Sequence, residues 1–270
     1  MTGVFRSDLL AGKSAVITGG GSGINLTIAH AFARHGARLG LIGRRQARLD
    51  AAVAEIASQG GEAVGAAADV REYDDLAAAL RKISGQLGQI DILVCGAAGN
   101  FPALATGMSA TGFKAVVDID LLGTFNACRA AFEHLRKPGA AVINISAPQA
   151  SMPMPYQSHV CAGKAGVEMI TRTLAIEWGA LGVRVNAISP GPIAGTEGMK
   201  RLTPAAETAA ALAANVPLKR YGDKQEIADL ALFLASDAAA YITGAVIPCD
   251  GGVSLLGSSA WVQALAGGTR

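Results

Sequence analysis

The stretch Thr18-Gly19-Gly20-Gly21-Ser22-Gly23-Ile24 limits the architecture of this chain more than any other. An apolar run from Ser14 to Thr18 leads into it, and a helical pattern from Ile24 to His35 leads out. Glycines at such a junction let the backbone turn sharply and approach a pyrophosphate, which the free N–H groups of the new helix receive. A glycine-rich turn alone is a weak signal, since many tight turns use glycine. The strand–turn–helix setting is what favours a phosphate site here.

The rest of the chain repeats that alternation. Leu39 to Gly43, Ala63 to Ala67, Ile90 to Cys95, Ala141 to Ser146, Val183 to Ile188 and Val246 to Cys249 read as further strands. Between them lie stretches of helical period, such as Val167, Ile170, Leu174 and Trp178. Strict alternation implies parallel strands with helices on both faces, an α/β doubly wound sheet of seven strands. With 270 residues, 51% of them hydrophobic, residues 1–270 are expected to form a single domain. The alternation breaks at about 190–217, where Pro and Gly precede an Ala-rich helical piece. An insertion near the carboxyl ends of the strands is where a substrate lid would sit.

A net charge of +2 with no run of Lys or Arg argues against a nucleic-acid partner. No stretch is apolar for long enough to act as a signal peptide or to span a membrane. Cys95, Cys128, Cys161 and Cys249 lie far apart in sequence and read as buried free thiols in a reducing compartment, with no metal expected. The terminal Gly-Gly-Thr-Arg is no peroxisomal address, so a cytoplasmic location is expected.

The second strand ends Ile42-Gly43-Arg44-Arg45, about 20 residues after the glycine loop. A carboxylate there would hydrogen-bond the ribose hydroxyls of NAD. Arg44 and Arg45 instead match a 2′-phosphate, so the cofactor expected is NADP(H). The competing reading is two solvated arginines at a helix start. Asp69 and Val70, ending the third strand, are placed to contact the adenine ring.

Thr18 to Ile24, Ala97-Ala98-Gly99, Lys164, Pro190-Gly191-Pro192-Ile193 and Asp250-Gly251-Gly252 together resemble the short-chain dehydrogenase/reductase family. The likeness runs from about Leu10 to Leu256. It implies a Rossmann-type sheet, a nicotinamide cofactor and a homotetramer. Cofactor contacts are implied for Thr18, Gly19, Gly21, Ser22, Gly23, Ile24, Ala97, Ala98, Gly99, Lys164, Pro190, Gly191 and Ile193. One departure is Asn25, standing where the loop normally has its last glycine. That glycine serves helix–strand packing, so Asn25 is expected to shift the helix slightly without abolishing cofactor binding.

Standard members of that family use Tyr-x-x-x-Lys on one helix face, with Ser and Asn nearby. The tyrosine gives a proton to a carbonyl while the lysine holds the nicotinamide ribose. In this chain Val160 stands four residues before Lys164, the serine position falls on Ala147, and the asparagine position falls on Asp120. Only Lys164 survives. Phe113, Val117, Thr124, Cys128 and Ala131 recur at helical spacing with Asp120 in mid-stripe. Asp120 is therefore expected on an inward, desolvated face suited to proton transfer. The alternative is an Asp that pairs with Lys164 or caps a local network. Asp118, about 200° round the helix, is expected in solvent.

Two other residues compete as donors. His159 titrates in the physiological range, although a lone His at a helix start is commonly structural. Tyr156 lies eight residues before Lys164, beside Pro153 and Pro155, whose loop geometry could bring it in. Met152 and Met154 read as acyl-chain wall or core packing.

Ala97 to Phe101, Asp118 to Asp120 with Gly123 to Asn126, and Pro190 to Gly198 are similar to one branch, the peroxisomal-type 2,4-dienoyl-CoA reductases. Those enzymes also lack the tyrosine four residues before the lysine. The likeness implies hydride transfer from NADPH to the δ carbon of a dienoyl thioester and protonation of the resulting dienolate to a 3-enoyl-CoA. It implies Asp120 as the acid, acting through water, Lys164 on the ribose, and Phe101 and Arg201 lining the acyl-CoA site. Adding hydride to a conjugated carbon removes the need for a phenol beside the oxygen, but it requires donors for the enolate oxygen. Two other readings stay open. One is a reductase of a ketone, hydroxyacyl or steroid substrate that recruits Tyr156; the other is a non-catalytic NADP(H)-binding protein.

Overall fold

The apolar runs become strands because helices cover both faces of the sheet and leave no polar side to alternate. The computed structural model describes residues 4–202 and 205–258. In it β1 (Ser14–Thr18), β2 (Arg38–Gly43), β3 (Ala63–Ala67), β4 (Ile92–Cys95), β5 (Ala141–Ile145), β6 (Arg184–Pro190) and β7 (Val246–Cys249) form one sheet. The seven strands are all parallel, in the order β3-β2-β1-β4-β5-β6-β7. The order reverses between β1 and β4, the position at which a doubly wound sheet opens a crevice at its carboxyl edge.

The helices are α1 (Gly23–Arg34), α2 (Gln46–Ser58), α3 (Tyr73–Leu87), α4 (Ala110–Val117), α5 (Gly123–Ala131), α6 (Ser158–Gly179), α7 (Glu197–Leu202), α8 (Ala206–Asn215) and α9 (Lys224–Ala235). On one face α1, α2 and α9 bury Ile28, Phe32, Ile56 and Leu232; on the other α3, α5 and α6 bury Leu80, Ile83, Cys128 and Leu174. Each fully buried Leu or Ile contributes ~1.5–3 kcal/mol, so these two apolar layers fix the position of the crevice.

Several expectations are corrected by the structure. The fourth strand begins at Ile92; Ile90 makes only an isolated bridge to Leu135. The helix through Asp120 is not continuous α-helix, because Asp118–Leu122 form a π-helical turn between α4 and α5. A π turn adds a residue and rotates everything after it. Asp120, Thr124, Cys128 and Ala131 are buried as the stripe predicts, whereas Phe113, ahead of the turn, is exposed. Asp118 is ion-paired with Lys114 instead of standing free in solvent. Cys95 and Cys128 are buried as expected, but Cys161 and Cys249 are only half-buried. The sulfurs of Cys95 and Cys128 lie 3.8 Å apart, a neighbourhood their sequence spacing conceals.

The segment at 190–217 carries α7 and α8, neither of which has a buried residue. Among the described residues, no helix is long and apolar enough to cross a membrane, and no cluster of His, Cys, Asp and Glu could hold a metal. The terminal Gly-Gly-Thr-Arg lies outside the described residues.

Candidate active site

The crevice at the β1/β4 reversal is a cleft of about 560 Å³. The turn between β1 and α1 forms one side. There Gly19 holds φ +71°, and a Cβ on it would come within 2.8 Å of the Asn25 amide and 3.1 Å of the Ala97 backbone. Left-handed backbone and lack of room together leave only glycine at that point. Ser22 caps α1 without a side-chain hydrogen bond, and the first turn has no acidic residue. The first N–H groups of α1 are thus available to an anion. Arg44 and Arg45 line the cleft, both exposed. Arg48, in the first turn of α2, joins them. The sequence reading missed Arg48, although three residues past Arg45 on a helix is one turn along the same face. Amide donors beside three guanidiniums fit a dinucleotide.

Gly21, Gly23, Asp69, Val70, Ala97 and Ala98 line the same cleft. Asp69 is not free, however. Arg71 donates to both its oxygens, at 3.0 and 2.6 Å, and this hydrogen bonding holds its carboxyl below the usual range. Thr18 lies behind the cleft, its Oγ1 accepting the Gly96 N–H at 3.1 Å, while Ile24 packs against the core. Pro190 ends β6 and Gly191 follows it, neither lining the cleft, and Ile193 is buried among core residues.

Deeper in, Asp120 is 0% exposed. Its Oδ1 accepts the Gly99 N–H at 2.7 Å, and its Oδ2, which has no hydrogen bond, lies 3.3 Å from Lys164 Nζ. Lys164 Nζ itself donates to the Ile145 carbonyl at 2.9 Å, which orients it from the end of β5. Close approach of α6 is possible because Gly163 offers no side chain: a Cβ there would sit 3.3 Å from that of Asp120. His159 is buried with neither ring nitrogen bonded, its ring 4.6 Å from that of Phe101. Burial pushes the His159 pKa below its ordinary value, opposed by the Phe101 backbone and the Asp120 charge. The neutral imidazole is the favoured form.

Residues 19–254 match the family described as Enoyl-(Acyl carrier protein) reductase. The peroxisomal 2,4-dienoyl-CoA reductase [(3E)-enoyl-CoA-producing] of Arabidopsis thaliana is 43% identical over 265 residues, covering 94% of this chain and 89% of that protein. The protein of the same name from Danio rerio is 42% identical, covering 94% of this chain and 85% of its own. Among solved structures, a citronellol catabolism dehydrogenase from Pseudomonas aeruginosa PAO1 superposes with TM-score 0.82 at 36% identity, covering 93% of this chain and 98% of that one. The chain belongs to the short-chain dehydrogenase/reductase family.

As a short-chain dehydrogenase/reductase it is an oxidoreductase, and its departures from the family pattern are physical facts of the site. Val160, at the tyrosine position, is a buried apolar side chain. Ser146 adjoins Ala147, but its hydroxyl is committed to Glu168 Oε1 at 3.0 Å and does not replace the missing serine. Tyr156 is not drawn in: it is 54% exposed, in a left-handed conformation at φ 67°, on a turn held by the Ala103 N–H bond to its carbonyl. Phe101 is half-buried against His159. Arg201 reaches from α7 to the Asn100 carbonyl at 3.0 Å and also pairs with Glu197, so it joins the 190–217 segment to the loop after β4.

Proposed function

We propose that this chain reduces a 2,4-dienoyl-CoA thioester with NADPH, giving a 3-enoyl-CoA. The observation that carries this reading is the buried Asp120–Lys164 pair in a site whose tyrosine position is Val160. An acid remains where the phenol is gone. Relatives at 42–43% identity bear the name of that activity, which adds to the case.

NADPH, when bound, supplies a hydride to the δ carbon of the conjugated thioester. The start of α1 would hold the pyrophosphate, Arg44, Arg45 and Arg48 would receive the 2′-phosphate, and Lys164 would hold the nicotinamide ribose. Asp120, steadied by the Gly99 N–H on Oδ1 and protonated on Oδ2 from solvent, passes that proton through a water to the α carbon and is left as the carboxylate partner of Lys164. The new C–H bonds at δ and α balance the two double bonds lost and the one formed between them. Phe101 and Arg201 line the acyl-CoA side, and 190–217 serves as the lid. His159 is the second candidate donor, its buried ring lying against Phe101. We further propose a cytoplasmic homotetramer. Its supports are the free thiols and the exposed apolar residues Met169 and Ile176 on α6.

The test follows loss of NADPH absorbance with a short 2,4-dienoyl-CoA and identifies the product. Asp120→Ala is expected to lower kcat by about 10²–10⁴-fold, the usual worth of a general acid, while NADPH binding is retained. Full turnover in that variant removes the acid assignment. Turnover of a ketone that is lost in Tyr156→Phe favours the carbonyl-reductase reading instead.

A further inference from the structure

Asn25 takes the place of a small residue at the loop's end, and its amide enters a specific space. Its Nδ2 donates to the Gly96 carbonyl at 2.7 Å, while its Oδ1 is buried without a hydrogen bond. Gly96, just past β4, has no side chain of its own. A Cβ on Gly96 would lie 2.1 Å from Asn25 Oδ1, 2.5 Å from its Cγ and 2.6 Å from its Nδ2. All three separations are well inside van der Waals contact, so the amide already fills the volume that a side chain at 96 would need. Nδ2 also lies 2.8 Å from where a Cβ on Gly19 would stand, so the same amide occupies space beside both glycines.

The turn so occupied leads to both halves of the site. After Gly96 come Ala97 and Ala98 in the cleft, then Gly99, whose N–H meets Asp120 Oδ1. Thr18 Oγ1 accepts the Gly96 N–H, so the Gly96 peptide groups are gripped from β1 and from α1 at once.

We infer that Asn25 and Gly96 are a matched pair in which the amide of α1 replaces a side chain on the β4 turn and sets the 96–99 segment between the dinucleotide and Asp120. Asn25 is a positioning residue, acting through that turn. The inference rests on the dinucleotide reading of the cleft, whereas its packing half needs no ligand.

A double-mutant cycle of Asn25→Gly, Gly96→Ala and the combination tests it, reading the Tm of the protein without ligand and the Kd for NADPH. Each single change lowers Tm and weakens NADPH binding, Gly96→Ala the more. The combination restores binding about tenfold or more beyond the product of the single effects, and recovers Tm, as coupled neighbours do. Effects that multiply to within about twofold overturn the pairing. If Gly96→Ala yields no folded protein, a folded combination supports the pairing and an unfolded one overturns it. Coupling in Tm with no NADPH binding by the unaltered protein overturns the cofactor reading and its positioning role, while upholding the packing pair.

Discussion

Arg44, Arg45 and Arg48 gather three positive charges on one wall of a cleft. A phosphate among guanidiniums gains charge-assisted hydrogen bonds of ~1.5–3 kcal/mol each. Replacing Arg44 and Arg45 together by Ala is expected to weaken NADPH binding by about 10–100-fold and NADH binding by less than about threefold. Titration calorimetry with both cofactors checks this; equal losses would remove the 2′-phosphate assignment. Arg44 and Arg45 were legible in the sequence because they follow an apolar run at a diagnostic distance from the glycine loop. Asp120 was legible because it breaks an apolar stripe. The Asn25–Gly96 contact was not legible, since the two residues lie 71 apart in the chain and neither position reveals what fills the other.

Among the elements, α9 shows how a terminus is fixed and how pH would loosen it. Asp223 and Glu226 form a capping box at its start, and Arg220 donates to both Glu226 oxygens at 2.8 and 2.6 Å. The Arg220 hydrogen bonds, foremost, lower the Glu226 pKa from 4.5 to about 2. A carboxyl depressed in the folded state stabilises the fold above its unfolded value and loses that contribution as pH falls through the folded one. Part of the acid limb between pH 4.5 and about 2 therefore belongs to Glu226. Urea midpoints measured across that window should fall less steeply in Glu226→Gln, and salt should reduce the difference because the pair is half-exposed. The seven strands could be read from apolar runs because parallel strands buried on both faces leave a plain signal. The π turn at Asp118–Leu122 had no such signal. A single added residue leaves the composition and the approximate period intact, and the change of phase shows in exposed Phe113 and in Val116 being buried in place of Val117.

At the scale of the molecule, Met169 and Ile176 stand seven residues apart on α6, 60% and 83% exposed. That spacing puts them on one helix face, where a second copy would cover them. Ile176→Glu is expected to shift the protein to smaller species by light scattering while cofactor binding persists; an unaltered protein that runs as a monomer would remove the tetramer assignment. The reversal of strand order between β1 and β4 has a wider consequence. A dinucleotide lying there would touch the turn after β1 and the end of β2 on one side and the turn after β4 on the other, and so would bridge the two halves of the sheet. At a hundredfold excess over Kd such a ligand adds ~2.7 kcal/mol to stability. The lifetime of this polypeptide would then track the total supply of its dinucleotide, oxidised and reduced together, and a cell depleted of both would lose the enzyme to its proteases as well as the reaction.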